Sequence, residues 1–214
     1  MHGDMAATHE LVDSLSPQML LCCGDWGDPG QAPRADYERL IGLTHVLTVF
    51  GNHDDLGLLG SLTNADGSPV LLESGLVREA LGLRVAGISG IWAKSHARPW
   101  YVTDNEVITW GMALEGRGVE ILLTHGCPVG LCDLLPGGRH GGHRSFLDAV
   151  ETVRAPASLC GHLHVQQVRT LKDGRIAANV GTTAAGDYVL IEKRDGEWKL
   201  QALRLEGRTR LDEA

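Results

Sequence analysis

The 214-residue sequence contains no long apolar run. Its longest purely apolar stretch is Met19–Cys23, far short of the ~20 residues that a membrane-spanning helix needs. No secretory leader is expected from these residues either, because Asp4, Glu10 and Asp13 interrupt the region where its apolar core would belong. No membrane partner is therefore expected, and a cytoplasmic location is. Basic charge is scarce: 19 Lys and Arg stand against 27 Asp and Glu, a net charge of -8. An acidic surface repels phosphate backbones, which disfavours a nucleic-acid partner. Low-complexity segments are absent, and 43% hydrophobic with 21% charged residues is ordinary globular composition. The length fits one domain over residues 1–214. Cysteine pairing is missing as well. The five cysteines are odd in number, Cys22 and Cys23 adjoin inside the apolar run, and Cys127 and Cys132 form no C-x-x-C pair. They read as buried thiols of a reducing compartment, not as a disulfide frame or a zinc site. Histidine, in contrast, is plentiful, with ten residues.

The hydrophobic pattern alternates in type along the chain. Gln18–Cys23, His45–Phe50, Leu83–Ile91, Val119–Thr124 and Ser158–Cys160 are short apolar or β-branched runs that read as strands. Between them, Ala6–Leu15, Asp36–Leu43, Asp104–Leu114 and Ser145–Val153 read as helices. In the last of these Phe146, Ala149, Val150 and Val153 recur at helical spacing. Two hairpins follow, Val165–Leu171 with Arg175–Val180 around Asp173-Gly174, and Tyr188–Glu192 with Trp198–Leu205 around Asp195-Gly196. Strands interleaved with helices and then followed by hairpins predict a layered α/β or α+β sandwich.

Several of these strands run out into polar clusters: Gly24-Asp25-Trp26-Gly27-Asp28, Gly51-Asn52-His53-Asp54, Thr124-His125-Gly126 and Gly161-His162-Leu163-His164. Each cluster alone has an ordinary explanation as a turn or a surface pair. Loops beyond the carboxyl ends of strands converge on one crevice in such sheets, so four loops each offering Asp, Asn or His there point to a metal site. Carboxylate, amide oxygen and imidazole without thiolate suit manganese, iron, cobalt, nickel or zinc.

In order and spacing these motifs resemble the calcineurin-like metallophosphoesterases, whose pattern runs D-x-H, G-D-x-x-D, G-N-H-D/E, a strand ending in His, and G-H-x-H. The His125–His164 stretch resembles the branch that includes class III cyclic-nucleotide phosphodiesterases. The resemblance implies a four-layer αββα sandwich of two mixed sheets with two divalent metal ions at its centre, manganese being the expected metal. By motif position Asp25 would bridge the ions. Asn52, His125 and His162 would complete one site, and His2 and His164 the other. His53 would be the catalytic histidine with Asp28 as its carboxylate partner, and Asp54 would support their loop. The implied reaction is hydrolysis of a small or nucleotide-like phosphodiester by a hydroxide shared between the metals. A phosphomonoesterase, a nuclease and a non-catalytic scaffold with a degraded metal centre are the rival readings.

One motif departs from the pattern. The chain opens Met1-His2-Gly3-Asp4, so the first Asp of D-x-H would sit at position zero and the strand before it is missing. Either the gene product starts further upstream, or one site is weakened in this chain. In both cases the His2/His164 site is expected to bind its metal less tightly, or to stand empty, and the Asn52/His125/His162 site to fill first. The gap is expected to lower stability or to favour a homodimer contact. Two loops remain. Trp92–Trp100, with Lys94, His96 and Arg98, is expected to be exposed beside the cleft. The glycine-flanked basic loop carrying Arg139, His143 and Arg144 is expected to recognise the substrate. His9 and His45 read as structural.

Overall fold

The computed structural model describes residues 1–207. Helix α1 (Met5–Leu15) starts at Asp4, whose carboxylate accepts the Ala7 N–H at 3.0 Å. It leads into β1 (Met19–Cys22), α2 (Arg34–Leu43), β2 (His45–Thr48) and the short α3 (Leu56–Gly60). Next come β3 (Val77–Ala80), β4 (Leu83–Ile88), β5 (Ile91–Trp92), β6 (Tyr101–Val102), α4 (Asp104–Leu114), β7 (Ile121–Thr124), α5 (Arg144–Val153) and β8 (Ala157–Cys160). The chain closes with β9 (Gln167–Thr170), β10 (Ile176–Asn179), a 3-10 turn at Thr183–Ala185, β11 (Asp187–Arg194) and β12 (Glu197–Arg204).

Six strands form one mixed sheet in the order β3-β4-β7-β8-β10-β9. The central pairings β4–β7, β7–β8 and β8–β10 are parallel, and the edge strands β3 and β9 are antiparallel to their neighbours. Parallel strands covered on both faces need apolar residues at every position, and β7 and β8 are buried throughout. Successive side chains serve opposite faces. Ala86, Ile88 and Leu122 pack against Val107 of α4 and Phe146, Ala149 and Val150 of α5. Val85, Ile121, Leu123 and Leu159 face Leu47, Val49 and Leu72 of the second layer, with Met19, Leu21, Val189 and Ile191 packed around them. The far side of that layer buries Cys22 and Val46 against Met5 and Val12 of α1 and Tyr37 and Leu40 of α2. The layers are thus helix, sheet, sheet, helix, as the resemblance implied.

The second sheet is in two pieces. Among the described residues β1 pairs in parallel with β2 alone, and β11 pairs with β12 as a hairpin. The helices and hairpins expected from periodicity and turn residues are present within a few residues of their expected ends. Several elements are additions, among them β3, α3, β6 and the 3-10 turn. Val77–Ala80 is too polar to read as a strand, yet it pairs with β4 across a turn whose Leu81 and Gly82 both have positive φ. α3 is five residues long, held by Asp55 accepting the Leu58 N–H at 2.9 Å. All five cysteines are buried and free. Among the described residues no helix is long and apolar enough to cross a membrane.

Candidate metal centre

The loops that leave β1, β2, β7 and β8 at their carboxyl ends meet at Asp25. Its carboxylate is buried and faces two ways: Oδ1 lies 3.5 Å from His125 Nε2, and Oδ2 lies 3.6 Å from His2 Nε2. Two groups of ligand atoms result, each lying within 4.8 Å of one another: Asp25 with His125 and His162, and Asp25 with His2 and His164. Asn52 belongs to the first, its Oδ1 being 3.3 Å from His125 Nε2. In the second, His2 Nε2 and His164 Nε2 face each other at 2.7 Å. All the metal-ligating residues expected from the motifs are therefore brought together.

Backbone geometry shows how tightly the loops are specified. Asp25, His2, His162 and His164 all have positive φ. Non-glycine residues rarely adopt that region, and its small energetic cost is characteristic of sites fixed by their surroundings. Gly51 is required for a different reason: a Cβ there would stand 2.3 Å from both Asp25 Oδ1 and His125 Cε1. Asp54 ties two of the loops together. Its buried carboxylate accepts N–H groups from Gly51 at 2.6 Å, Trp26 at 2.7 Å and Asp25 at 2.9 Å. Asn179, for which the sequence offered no signal beyond its place at a strand end, donates to Gly161 O at 3.3 Å and to Cys127 Sγ at 3.2 Å, bracing the His162 loop.

Electrostatics keep the imidazoles neutral. Burial lowers His125 to about 4. Burial, aided by the Met1 ammonium, lowers His2 to about 4. Burial also lowers His162 and His164. His125 donates its Nδ1–H to Cys23 O at 2.6 Å, which fixes the tautomer and leaves Nε2 bare toward Asp25. Burial works against the Asp25 carboxylate, but the groups around it, the His53 amide that donates to it among them, hold it below the usual carboxylate range. An ionised carboxylate, an amide oxygen and neutral imidazoles form a set that fits divalent first-row metals.

These shifts set the acid sensitivity of the metal-free protein. A histidine whose folded value is depressed refuses a proton that the unfolded chain accepts, so stability falls as the pH drops below about 6.5 toward 4. His2, His125, His162 and His164 all act in this direction. Asp54 acts oppositely: burial pushes it up to about 6, so the folded chain takes that proton first. Four histidines outweigh one carboxyl, and the urea midpoint of metal-free protein should be lower at pH 5 than at pH 7. A higher midpoint at pH 5 would contradict the neutral-imidazole assignment.

His53 sits at the rim. Its backbone N–H donates to Asp25 Oδ1 at 2.8 Å, its ring Nδ1 faces Asp28 Oδ1 at 3.1 Å, and its ring packs edge-on to His2 with centroids 5.1 Å apart. The basic loop is placed differently. Arg139 is exposed, and the Arg144 guanidinium pairs with Asp148 at 2.7 Å on the outer face of α5. His143 caps α5 and stacks on Trp92, ring centroids 4.0 Å apart. Asp133 pins this loop, accepting from His140 Nδ1 at 2.7 Å and from Gly142 N at 2.9 Å. Residues 93–100 form the expected exposed loop between β5 and β6. His45 stands in β2, and the ring nitrogens of the buried His9 have no hydrogen-bond partner among the described residues.

A sequence profile of the calcineurin-like phosphoesterase superfamily domain matches residues 1–189. Among solved structures, TT1561 of Thermus thermophilus is similar with a TM-score of 0.64 at 16% identity, the match covering 95% of this chain and 94% of that one. Vps29 complexed with zinc from Entamoeba histolytica gives a TM-score of 0.45 at 14% identity, over 92% of this chain and 88% of that one. At such identities the likeness is one of fold. No curated protein matches the sequence.

Proposed function

Because the chain belongs to the calcineurin-like phosphoesterase superfamily, we propose that it is a metal-dependent hydrolase of phosphoesters, acting on a small or nucleotide-like phosphodiester with manganese as its metal. The observation that carries this reading is the division of the Asp25 carboxylate, one oxygen toward His125 and the other toward His2. His125, His162, Asn52 and Asp25 would hold one ion, and His2, His164 and Asp25 the other. When bound, such a pair supplies water of lowered pKa and a clamp for the phosphoryl oxygens.

The remaining roles fall to the chain itself. Asp28 accepts the His53 Nδ1–H, which orients the ring and leaves Nε2 as its free nitrogen. When that nitrogen also carries a proton, the imidazolium can meet negative charge on the leaving oxygen and give the proton to it. The diester reading rests on the resemblance of the His125–His164 stretch to the class III cyclic-nucleotide phosphodiesterase branch.

Hydrolysis of bis-p-nitrophenyl phosphate and p-nitrophenyl phosphate with added Mn²⁺ tests the proposal. The diester should react faster, and His53→Ala should lower kcat on the order of 10²- to 10⁴-fold while Mn²⁺ affinity stays unchanged. Preference for the monoester would overturn the diester assignment. Activity that survives His53→Ala would overturn the role of that ring. Manganese-loaded protein without hydrolysis of either ester would favour a scaffold.

A further inference from the structure

Two loops attach to the ligand loops without supplying a ligand. The first is a small flap over residues 134–140, between β7 and α5, closed by an antiparallel bridge from Leu134 to His140. Within it Leu135 N donates to Arg139 O at 2.8 Å. The buried Asp133 fixes its base, accepting from Gly130 N at 3.0 Å as well as from His140 and Gly142. Gln167 adds a second staple, donating from Nε2 to Leu134 O at 2.6 Å. The flap is also seated on the metal centre. A Cβ at Gly141 would stand 2.9 Å from Leu163 Cδ1 and 3.1 Å from Leu135 Cδ1, and Leu163 lies between the ligands His162 and His164.

The second loop, residues 93–100, joins β5 to β6. Its root is held between two ligand loops. Gly90 N donates to Phe50 O at 2.8 Å, just before Asn52, and Gly90 O accepts from Gly126 N at 3.1 Å, just after His125. Trp92 at the start of this loop stacks on His143 at the end of the flap segment, so the two loops are joined. Loops fixed in this way by a rigid scaffold are where binding residues concentrate.

The charges on these loops fall into two sets. Arg144 is taken by Asp148, His96 by Glu106 and His140 by Asp133. Lys94, Arg98 and Arg139 are exposed and have no ion-pair partner among the described residues. In a chain of net charge -8, three uncommitted cations on joined loops make a local positive field beside the centre. Guanidinium forks and an ammonium suit phosphate oxygens.

We propose that Arg139, Lys94 and Arg98 bind a second phosphoryl group of the substrate, so that the preferred class is a phosphodiester carrying a further phosphate. The inference rests on the hydrolase reading above. Two substrates test it with Mn²⁺: the p-nitrophenyl ester of thymidine 5′-phosphate, and the same ester bearing a 3′-phosphate. The 3′-phosphorylated ester should have a kcat/KM at least about tenfold higher, mainly through KM, the scale of a charge-assisted contact. Replacing Lys94, Arg98 and Arg139 together by alanine should bring the ratio of the two esters close to unity. Arg117→Ala with Lys172→Ala removes exposed cations that precede β7 and β10, at the opposite end of the sheet, and should leave the ratio as it was.

Calorimetric titration in Mn²⁺ with thymidine 3′,5′-bisphosphate and with thymidine 5′-phosphate reads the same site without turnover. The bisphosphate should bind at least about tenfold more tightly, and the triple variant should lose that margin. If neither ester is hydrolysed, the hydrolase reading fails and the titration alone decides this one. Equal kcat/KM for the two esters, or equal affinity for the two nucleotides, would overturn the proposal. So would a margin that survives in the triple variant, or one that Arg117→Ala with Lys172→Ala also removes.

Discussion

Asp25→Asn is expected to weaken Mn²⁺ binding by more than about 100-fold at both ligand groups, an effect larger than the 10- to 100-fold typical of residues that only orient metal ligands. Asparagine keeps the side-chain shape and an oxygen for the His53 N–H, which Asp25 Oδ1 accepts at 2.8 Å. It removes the charge and one of the two oxygens that face His125 and His2 at 3.5 and 3.6 Å. His164→Ala makes the contrast, because His164 belongs to only one of the groups. Calorimetric titration should show that variant retaining one class of tight site and Asp25→Asn retaining none. Two tight sites in Asp25→Asn would dissolve the idea of a shared carboxylate.

The second large effect concerns stability. Asp54→Ala removes the acceptor of three backbone N–H groups, those of Gly51, Trp26 and Asp25, in a place where water has little access. Each buried donor left unpaired costs about 1–3 kcal/mol, so the variant should lose about 3–9 kcal/mol. That is a large part of the 5–15 kcal/mol by which domains are typically stable. Urea denaturation of metal-free protein measures it without any dependence on catalysis. Asp54→Asn should recover part of the loss, because one oxygen still accepts. A midpoint unchanged in Asp54→Ala would show that the loops hold their shape without this carboxylate.

The candidate metal ligands other than His2 were legible because they sit just beyond strands, and β-branched or apolar runs such as Ile121–Thr124 announce their ends clearly. The helix carrying Phe146, Ala149, Val150 and Val153 was legible for the same kind of reason, a sustained apolar stripe. What stayed hidden depends on tertiary pairing. Val77–Ala80 has no apolar alternation, and only its partner β4 makes it a strand. Asp133 and Asn179 act through hydrogen bonds to backbone groups distant from them in sequence, and a lone polar residue carries no mark of that. The loop with Arg139 and Arg144 reads as free and cationic, whereas Asp133 staples it and Asp148 takes one of its charges.

The two layers of strands contribute unequally to the centre. Asp25 and Asn52 follow strands of the smaller layer, whereas His125, His162 and His164 follow strands of the six-stranded sheet. An ion held by both sets acts as a rivet through the sandwich, and sliding one layer over the other would tear it out. Ligand binding to the folded state alone adds RT ln(1 + [L]/Kd) to stability. Metal supply would therefore govern how long the molecule survives heat or proteolysis, independently of whether any phosphoester is present.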